Sequence, residues 1–148
     1  HLEGLTVSIL ADGAVEADTI VSGGSITLSN AASVVAVGLP MAYTLSPMRL
    51  ELNMPTGSSH GSIKKINELV ISFKDTEGAQ YGASLDALYD IPWRTTENYN
   101  EAPALFTGDK IVAFDSGFTV DTPIYIYGIE PLPCTVRAII PRVFVTET

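Results

Sequence analysis

The chain has 148 residues, of which 46% are hydrophobic and 17% charged, and its formal net charge is −9 at pH 7. A chain of this length buries enough apolar surface to fold as one domain, and its lone cysteine, Cys134, has no partner for an internal disulfide. Its longest apolar runs are far shorter than the roughly 18 residues of a membrane-spanning helix, so we expect no membrane partner. The acidic balance argues against nucleic-acid binding, which needs clustered basic side chains.

Charge is distributed unevenly along the chain. No lysine or arginine precedes Arg49, whereas Glu3, Asp12, Glu16 and Asp18 all lie before it. One interpretation is an ordinary acidic surface that keeps the protein in solution. Another is a surface that repels DNA, as the wall of a channel would. The sequence leaves both interpretations open.

Apolar and polar residues alternate in short segments that recur about every ten residues, a spacing typical of sandwiches and barrels. Turn residues such as Asp12-Gly13 and Asp75–Gly78 separate these segments. In Lys65–Lys74, the alternation predicts that Leu69, Ile71 and Phe73 face the core. The predicted strands are Leu5–Leu10, Ala14–Val21, Ser25–Leu28, Val34–Val37, Pro47–Met54, Lys65–Lys74, Lys110–Phe114, Ile124–Ile129 and Cys134–Val145.

Helix signals are weak throughout the chain. One short turn capped by Ser84 is expected over Ser84–Tyr89. Pro141 interrupts the last strand and therefore predicts a sheet edge or a bulge, because proline cannot donate to the ladder. We predict an all-β fold, an antiparallel sandwich or barrel-like domain with long loops. It should form one domain over residues 1–148, with a possible subdivision near residues 46–62.

Two stretches are predicted to be irregular. Pro55–Ser62 is small, polar and glycine-rich, which is typical of a mobile loop. Residues 91–103 carry Trp93, Arg94 and Tyr99 among polar residues and two prolines. An aromatic loop of this kind is a candidate contact for a partner, and its alternative role is to cover the domain's own core.

No group of residues has the pattern of a catalytic site. Ser58 and Ser59 adjoin His60 without the glycine-flanked elbow of a serine nucleophile. Cys134 begins an apolar strand and is expected to be a buried, inert thiol. Most of the acidic residues occupy turn positions, where aspartate bonds nearby backbone. Calcium-loop, zinc and phosphate-loop motifs are absent from the sequence, so we predict no enzyme, no cofactor and no metal site.

Several segments, read in order, resemble the nozzle proteins of short-tailed bacteriophages, also called tail tubular or stabilisation proteins. The resemblance extends over nearly the whole chain. The matching segments are His1–Gly4, Thr6-Val7, Leu10–Val15, Val21–Leu28, Val37–Pro40, Lys64–Leu69, Leu105–Lys110, Pro131–Pro133 and Thr135-Val136.

The resemblance implies a C-terminal fragment of a larger virion protein, and the absence of an initiator methionine led to the same expectation. Such a protein self-associates into a ring below the portal and contacts portal or adaptor proteins and fibre proteins. DNA passes through the resulting tube without being specifically bound. The expected role is therefore structural, and the expected location is the phage tail.

Two other functions are open at the level of sequence. The first is a glycan- or receptor-binding β-sandwich, in which Trp93, Tyr99, Tyr125 and Tyr127 would form an aromatic platform. Against it, Ile124 and Ile126 alternate with the last two tyrosines and have the pattern of core residues. The second is an envelope-degrading hydrolase, which the lack of a catalytic pattern disfavours.

Overall fold

The computed structural model describes residues 1–55, 57–94 and 103–146. The regular secondary structure in this part of the chain consists of β-strands alone. The predicted all-β class is confirmed. Among these residues, no helix is long and apolar enough to span a membrane. The strands are β1 Thr6–Ala11, β2 Ala14–Ile20, β3 Val35–Gly38, β4 Tyr43–Leu45, β5 Asn53–Met54, β6 Gly57–Ser58, β7 Ile63–Thr76, β8 Gln80–Ser84, β9 Ala87–Asp90, β10 Phe106–Ala113, β11 Tyr125–Gly128 and β12 Val136–Thr146.

Two antiparallel sheets pack face to face and form the larger core. One has the strand order β10-β7-β12 and the other β4-β11-β8-β9. Leu69, Ile71 and Phe73 of β7 are fully buried between them, as the alternation predicts. Ile126 of β11 packs into the same cluster, and the Tyr81 hydroxyl crosses the core to donate to the Ala113 carbonyl at 3.0 Å. This arrangement is an open sandwich.

A separate three-stranded sheet, in the order β2-β1-β3, comes from the N-terminal part of the chain. Asp12 and Gly13 have φ angles of 49° and 84° and form the two-residue hairpin between β1 and β2. Val7 and Ile9 are buried beneath Val21 in a second hydrophobic cluster. The two clusters share no residue. Residues 39–42 connect β3 of the N-terminal sheet to β4 of the sandwich.

The prediction of a strand over Pro47–Met54 is wrong for most of this segment. Only Asn53–Met54 pairs, and it pairs with Gly57–Ser58. Met48, which lies on the apolar side of this segment, is 94% exposed. Alternation alone does not supply a neighbouring strand, and Leu52 instead donates its N–H to the Ser59 hydroxyl at 2.9 Å.

Two further local predictions are wrong. Residues 25–28 form one isolated bridge, Ser22 with Ser25, and no strand, because Ile26 and Leu28 fold over the N-terminal cluster. Ser84 caps a turn by accepting a bond from the Asp86 N–H at 3.2 Å, but this turn joins β8 to β9 and is not helical.

β12 is an edge strand, in agreement with the prediction from Pro141. Pro141 lies opposite Leu69 of β7, and the register shifts between Arg142 and Val143. A second shift lies between Val136 and Ala138. Proline is tolerated here because a neighbouring strand is present on one side only.

Candidate functional site

Trp93 follows β9 and packs against the main core. Its ring lies edge-on to that of Phe73, with the centroids 5.0 Å apart, and 6.1 Å from the ring of Phe106. Lys110 contacts two residues next to Trp93. Its ammonium donates to the Pro92 carbonyl at 2.7 Å and lies 4.5 Å from the centroid of the Phe106 ring. Trp93 therefore contributes to the core even though part of its side chain reaches the surface.

The three residues of the predicted contact loop have different positions. Trp93 is half-buried and Arg94 is exposed. Tyr99 lies outside the described residues, so its place beside the other two stays a prediction.

A cleft of about 270 Å³ opens beside Trp93, between the end of β9 and the end of β11. Its aromatic wall consists of Tyr43, Trp93 and Tyr127. Its acidic side chains are Glu77, Asp90 and Glu130, and Gln80 and Leu132 also contribute to the lining. Aromatic rings beside a few polar groups are typical of small-ligand sites.

Glu77 is the most unusual group in the cleft, because only 7% of its surface is exposed. Burial raises the pKa of this carboxyl, and the positive charge of Arg94 acts in the opposite direction. Its backbone N–H donates to the Pro133 carbonyl at 3.0 Å. Within residues 1–55, 57–94 and 103–146, no hydrogen bond to its carboxylate is formed.

Tyr43 has a mainly structural role in the cleft wall. Its hydroxyl donates to the Gly78 carbonyl at 3.0 Å. Burial and the neighbouring Cys134 thiol together raise the pKa of Tyr43, so the phenol stays protonated. Cys134, predicted to be buried, is half-buried.

Tyr125 and Tyr127, two residues of the predicted aromatic platform, alternate with core residues as the sequence pattern predicts. Ile124 and Ile126 are buried, while Tyr125 and Tyr127 are half-buried on the opposite side of the strand. Only Tyr127 lines the Trp93 cleft, whereas Tyr125 lies beside a different depression. The tertiary structure thus brings Trp93 and Tyr127 together and separates Tyr125 from them.

The sequence did not single out several residues that line the cleft, among them Tyr43, Glu77 and Asp90. Asp90 accepts a hydrogen bond from the Gln80 amide at 2.7 Å across the β8–β9 pair. The one local signal for Glu77 is its place in the turn that follows the predicted strand Lys65–Lys74, but its burial depends on distant residues. No local pattern places Tyr43 near Glu77.

The serines beside His60 form hydrogen bonds with residues near them in the chain. The Ser59 side chain is fully buried and accepts the Leu52 N–H, whereas Ser58 bonds to the Glu51 carboxylate. His60 is exposed, and its backbone N–H donates to the Ser58 hydroxyl at 3.0 Å. In the described ranges, no three His, Cys, Asp or Glu side chains are grouped so that they could hold a metal ion.

A second surface feature is an apolar row across the outer face of the β10-β7-β12 sheet. Ile111 and Ile140 both lie opposite Val70, and they are 62% and 53% exposed. Phe144, on the same side of β12, is 60% exposed. The ion pair between Arg142 and Glu68, at 2.6 Å, lies next to this row. We call Ile111, Val70, Ile140 and Phe144 the outer apolar row.

Comparison with known proteins adds no relative: no protein-family model matches the chain, and no curated protein matches its sequence.

Proposed function

We propose that the chain is a structural domain of a bacteriophage tail, in the nozzle or hub below the portal. There it self-associates and helps to build the tube through which DNA leaves the particle. The ordered series of segments that resembles phage nozzle proteins supports this location. The proposal assigns the domain a mechanical role and no catalysis.

The outer apolar row is the observation that carries the self-association. Isolated apolar side chains are common on protein surfaces, but this row crosses all three strands of one sheet, with Val70 directly between Ile111 and Ile140. Covering it would remove large aliphatic and aromatic side chains from water, at about 25 cal/mol per Å² of apolar area. A second copy in a tail assembly is the partner we assign to it.

The remaining partners follow from the assembly. Portal or adaptor proteins and fibre proteins would contact other surfaces of the ring. DNA would pass without specific binding, because the net charge of −9 disfavours contact with phosphates.

The location is tested on purified phage particles that encode this chain. Mass spectrometry of particles and immunogold electron microscopy with an antibody against the chain should place it at the tail. Detection in lysates but not in purified particles would contradict a virion role.

The self-association is tested on the chain in solution by sedimentation velocity. We expect a mass above the 15.8 kDa of one copy. Replacing Ile111 and Ile140 together by threonine should weaken the association at least about tenfold, because threonine keeps the strand preference and removes apolar contact area. Met48→Thr is the matched control, since Met48 is exposed outside the row. Equal association of all three proteins would argue against the row as the contact.

The cleft beside Trp93 favours glycan binding as a second candidate function. It combines the rings of Trp93 and Tyr127 with the carboxylates of Glu77 and Asp90, and carboxylates accept hydrogen bonds from sugar hydroxyls. A glycan array probed with the wild-type chain and with Tyr127→Ala tests it. Binding that is lost in Tyr127→Ala but kept in Tyr89→Ala, an exposed tyrosine on β9, would support this function. A blank array would remove it.

A further inference from the structure

Two strands with unpaired edges belong to different sheets. Within the described part of the chain, β12 pairs only with β7, and β2 pairs only with β1. Among the described residues, no backbone hydrogen bond reaches the other side of either strand. Such an edge presents unpaired N–H and C=O groups to which another strand can add.

These two edges carry opposite charges. β12 has Arg137 and Arg142 and no acidic residue, whereas β2 has Glu16 and Asp18 and no basic one. The contrast extends to the surrounding sheets. Residues 1–38 contain four acidic residues and no lysine or arginine, while β7, β10 and β12 hold six of the chain's eight basic residues and three acidic ones.

Exposed apolar side chains accompany the charges on both strands. Ile140 lies on β12, and Ile20, which is 60% exposed, ends β2. A contact between the two strands would therefore join unlike charges and also cover aliphatic surface. A contact between two copies of the same edge would instead bring like charges together, which is unfavourable.

We propose that β12 of one copy adds to the β2 edge of a second copy, along the part of β12 that precedes Pro141. The inference rests on the proposed self-association and adds to it a second contact, distinct from the outer apolar row. The contact is head-to-tail, because each copy uses two different edges. Repetition of such a contact closes into a ring when the rotation between copies permits and otherwise extends as a filament. Main-chain hydrogen bonds would supply affinity, and the charges would select the partner edge.

Arg137 and Asp18 are the residues to change. Arg137 lies at the shift between Val136 and Ala138, where no β7 residue pairs with it, and neither residue has an ion-pair partner among the described residues. Reversing either charge should therefore leave the fold intact. The variants are Arg137→Glu and Asp18→Lys, each studied alone and as a mixture. Asp86→Lys, in the exposed β8–β9 turn, is the control with the same change in net charge as Asp18→Lys.

Sedimentation velocity at low salt provides the readout. Each single variant should associate at least about tenfold more weakly than the wild type, because each homotypic contact would then oppose like charges. An equimolar mixture should recover wild-type association through contacts between unlike variants. The introduced carboxylate of Arg137→Glu then meets the introduced ammonium of Asp18→Lys, and the unchanged Arg137 of the second variant meets the unchanged Asp18 of the first. High salt should weaken the association of the wild type and of the mixture alike.

The outcomes separate this inference from the proposed function. If the wild type associates and both variants match it, the β12–β2 contact is excluded while self-association stands. Weakening without recovery in the mixture also excludes a head-to-tail contact between these edges. If the wild type stays at 15.8 kDa at every concentration, self-association itself fails, and the inference fails with it.

Discussion

At the scale of single residues, Gly128 packs tightly against the ring of Tyr43. The two residues are opposite each other in the β11–β4 pair, and a Cβ added to Gly128 would overlap the ring. Tyr43 is also fixed at its hydroxyl by the Gly78 carbonyl, so its ring has little freedom to move away. Glycine is therefore required at position 128 for a steric reason.

Gly128→Ala should destabilise the protein by about 1–3 kcal/mol, the usual range for overpacking at a constrained contact. Urea unfolding monitored by circular dichroism measures the change. Gly38→Ala in β3 is the control, because a Cβ there meets no atom within 4 Å. Equal destabilisation of both variants would show that loss of glycine, and not the Tyr43 contact, is responsible.

At the scale of elements, two carboxylates fasten the loops around the N-terminal sheet. Glu3 accepts the N–H groups of Gly23 and Gly24, both at 2.8 Å. Asp12 accepts those of Ser33 and Val34 at 2.9 and 2.7 Å. These bonds favour the charged forms and lower the pKa of each carboxyl below its ordinary value.

The lowered pKa values predict that these loops loosen in acid. The stabilisation is complete above the unfolded-state pKa values of 4.5 for Glu3 and 3.8 for Asp12, and it is lost as the pH falls through the lower folded-state values. Amide hydrogen exchange by NMR should show Gly23 and Gly24 protected at neutral pH and much less so in acid. Glu3→Gln should abolish this protection at neutral pH, whereas Asp18→Asn should leave it unchanged. Protection that persists in Glu3→Gln would disprove the role of the carboxylate.

Glu77 responds to pH in the opposite direction. Its folded-state pKa is raised, so the fold favours the protonated form, and this contribution is lost as the pH rises from 4.5 through the folded-state value. Glu77→Gln should therefore be more stable than the wild type at neutral pH, by an amount that shrinks in acid. Thermal unfolding at several pH values measures this difference. A variant less stable than the wild type at neutral pH would mean that the buried charge is compensated by a partner.

At the scale of the whole molecule, the two hydrophobic clusters differ greatly in size. Counting the described residues, the cluster between the packed sheets contains eleven buried residues, and the N-terminal cluster contains three. Fewer buried apolar contacts mean a lower free energy of local opening. The N-terminal sheet should therefore open independently of the sandwich.

Hydrogen exchange along the chain tests this independence. The slowest amides should lie on β7, and those of β1 should exchange faster. Ile9→Ala should accelerate exchange across the N-terminal sheet and leave β7 unaffected, whereas Ile71→Ala should destabilise the sandwich by about 2–5 kcal/mol. Equal acceleration at β1 and β7 in Ile9→Ala would instead show one cooperative unit.

Sequence by itself determined the features that arise from short-range physics. Period-2 alternation identified the buried face of β7, Asp12-Gly13 predicted the first hairpin, and Pro141 predicted a sheet edge or a bulge. Only the tertiary structure decided the features that depend on distant partners. Pro47–Met54 alternates like a strand, but among the described residues only its part Asn53–Met54 pairs with another strand. Glu77 is buried beside Tyr43 and Trp93 by the packing of separate strands. Alternation determines which side of a segment is apolar, whereas pairing and burial depend on which remote segments meet it.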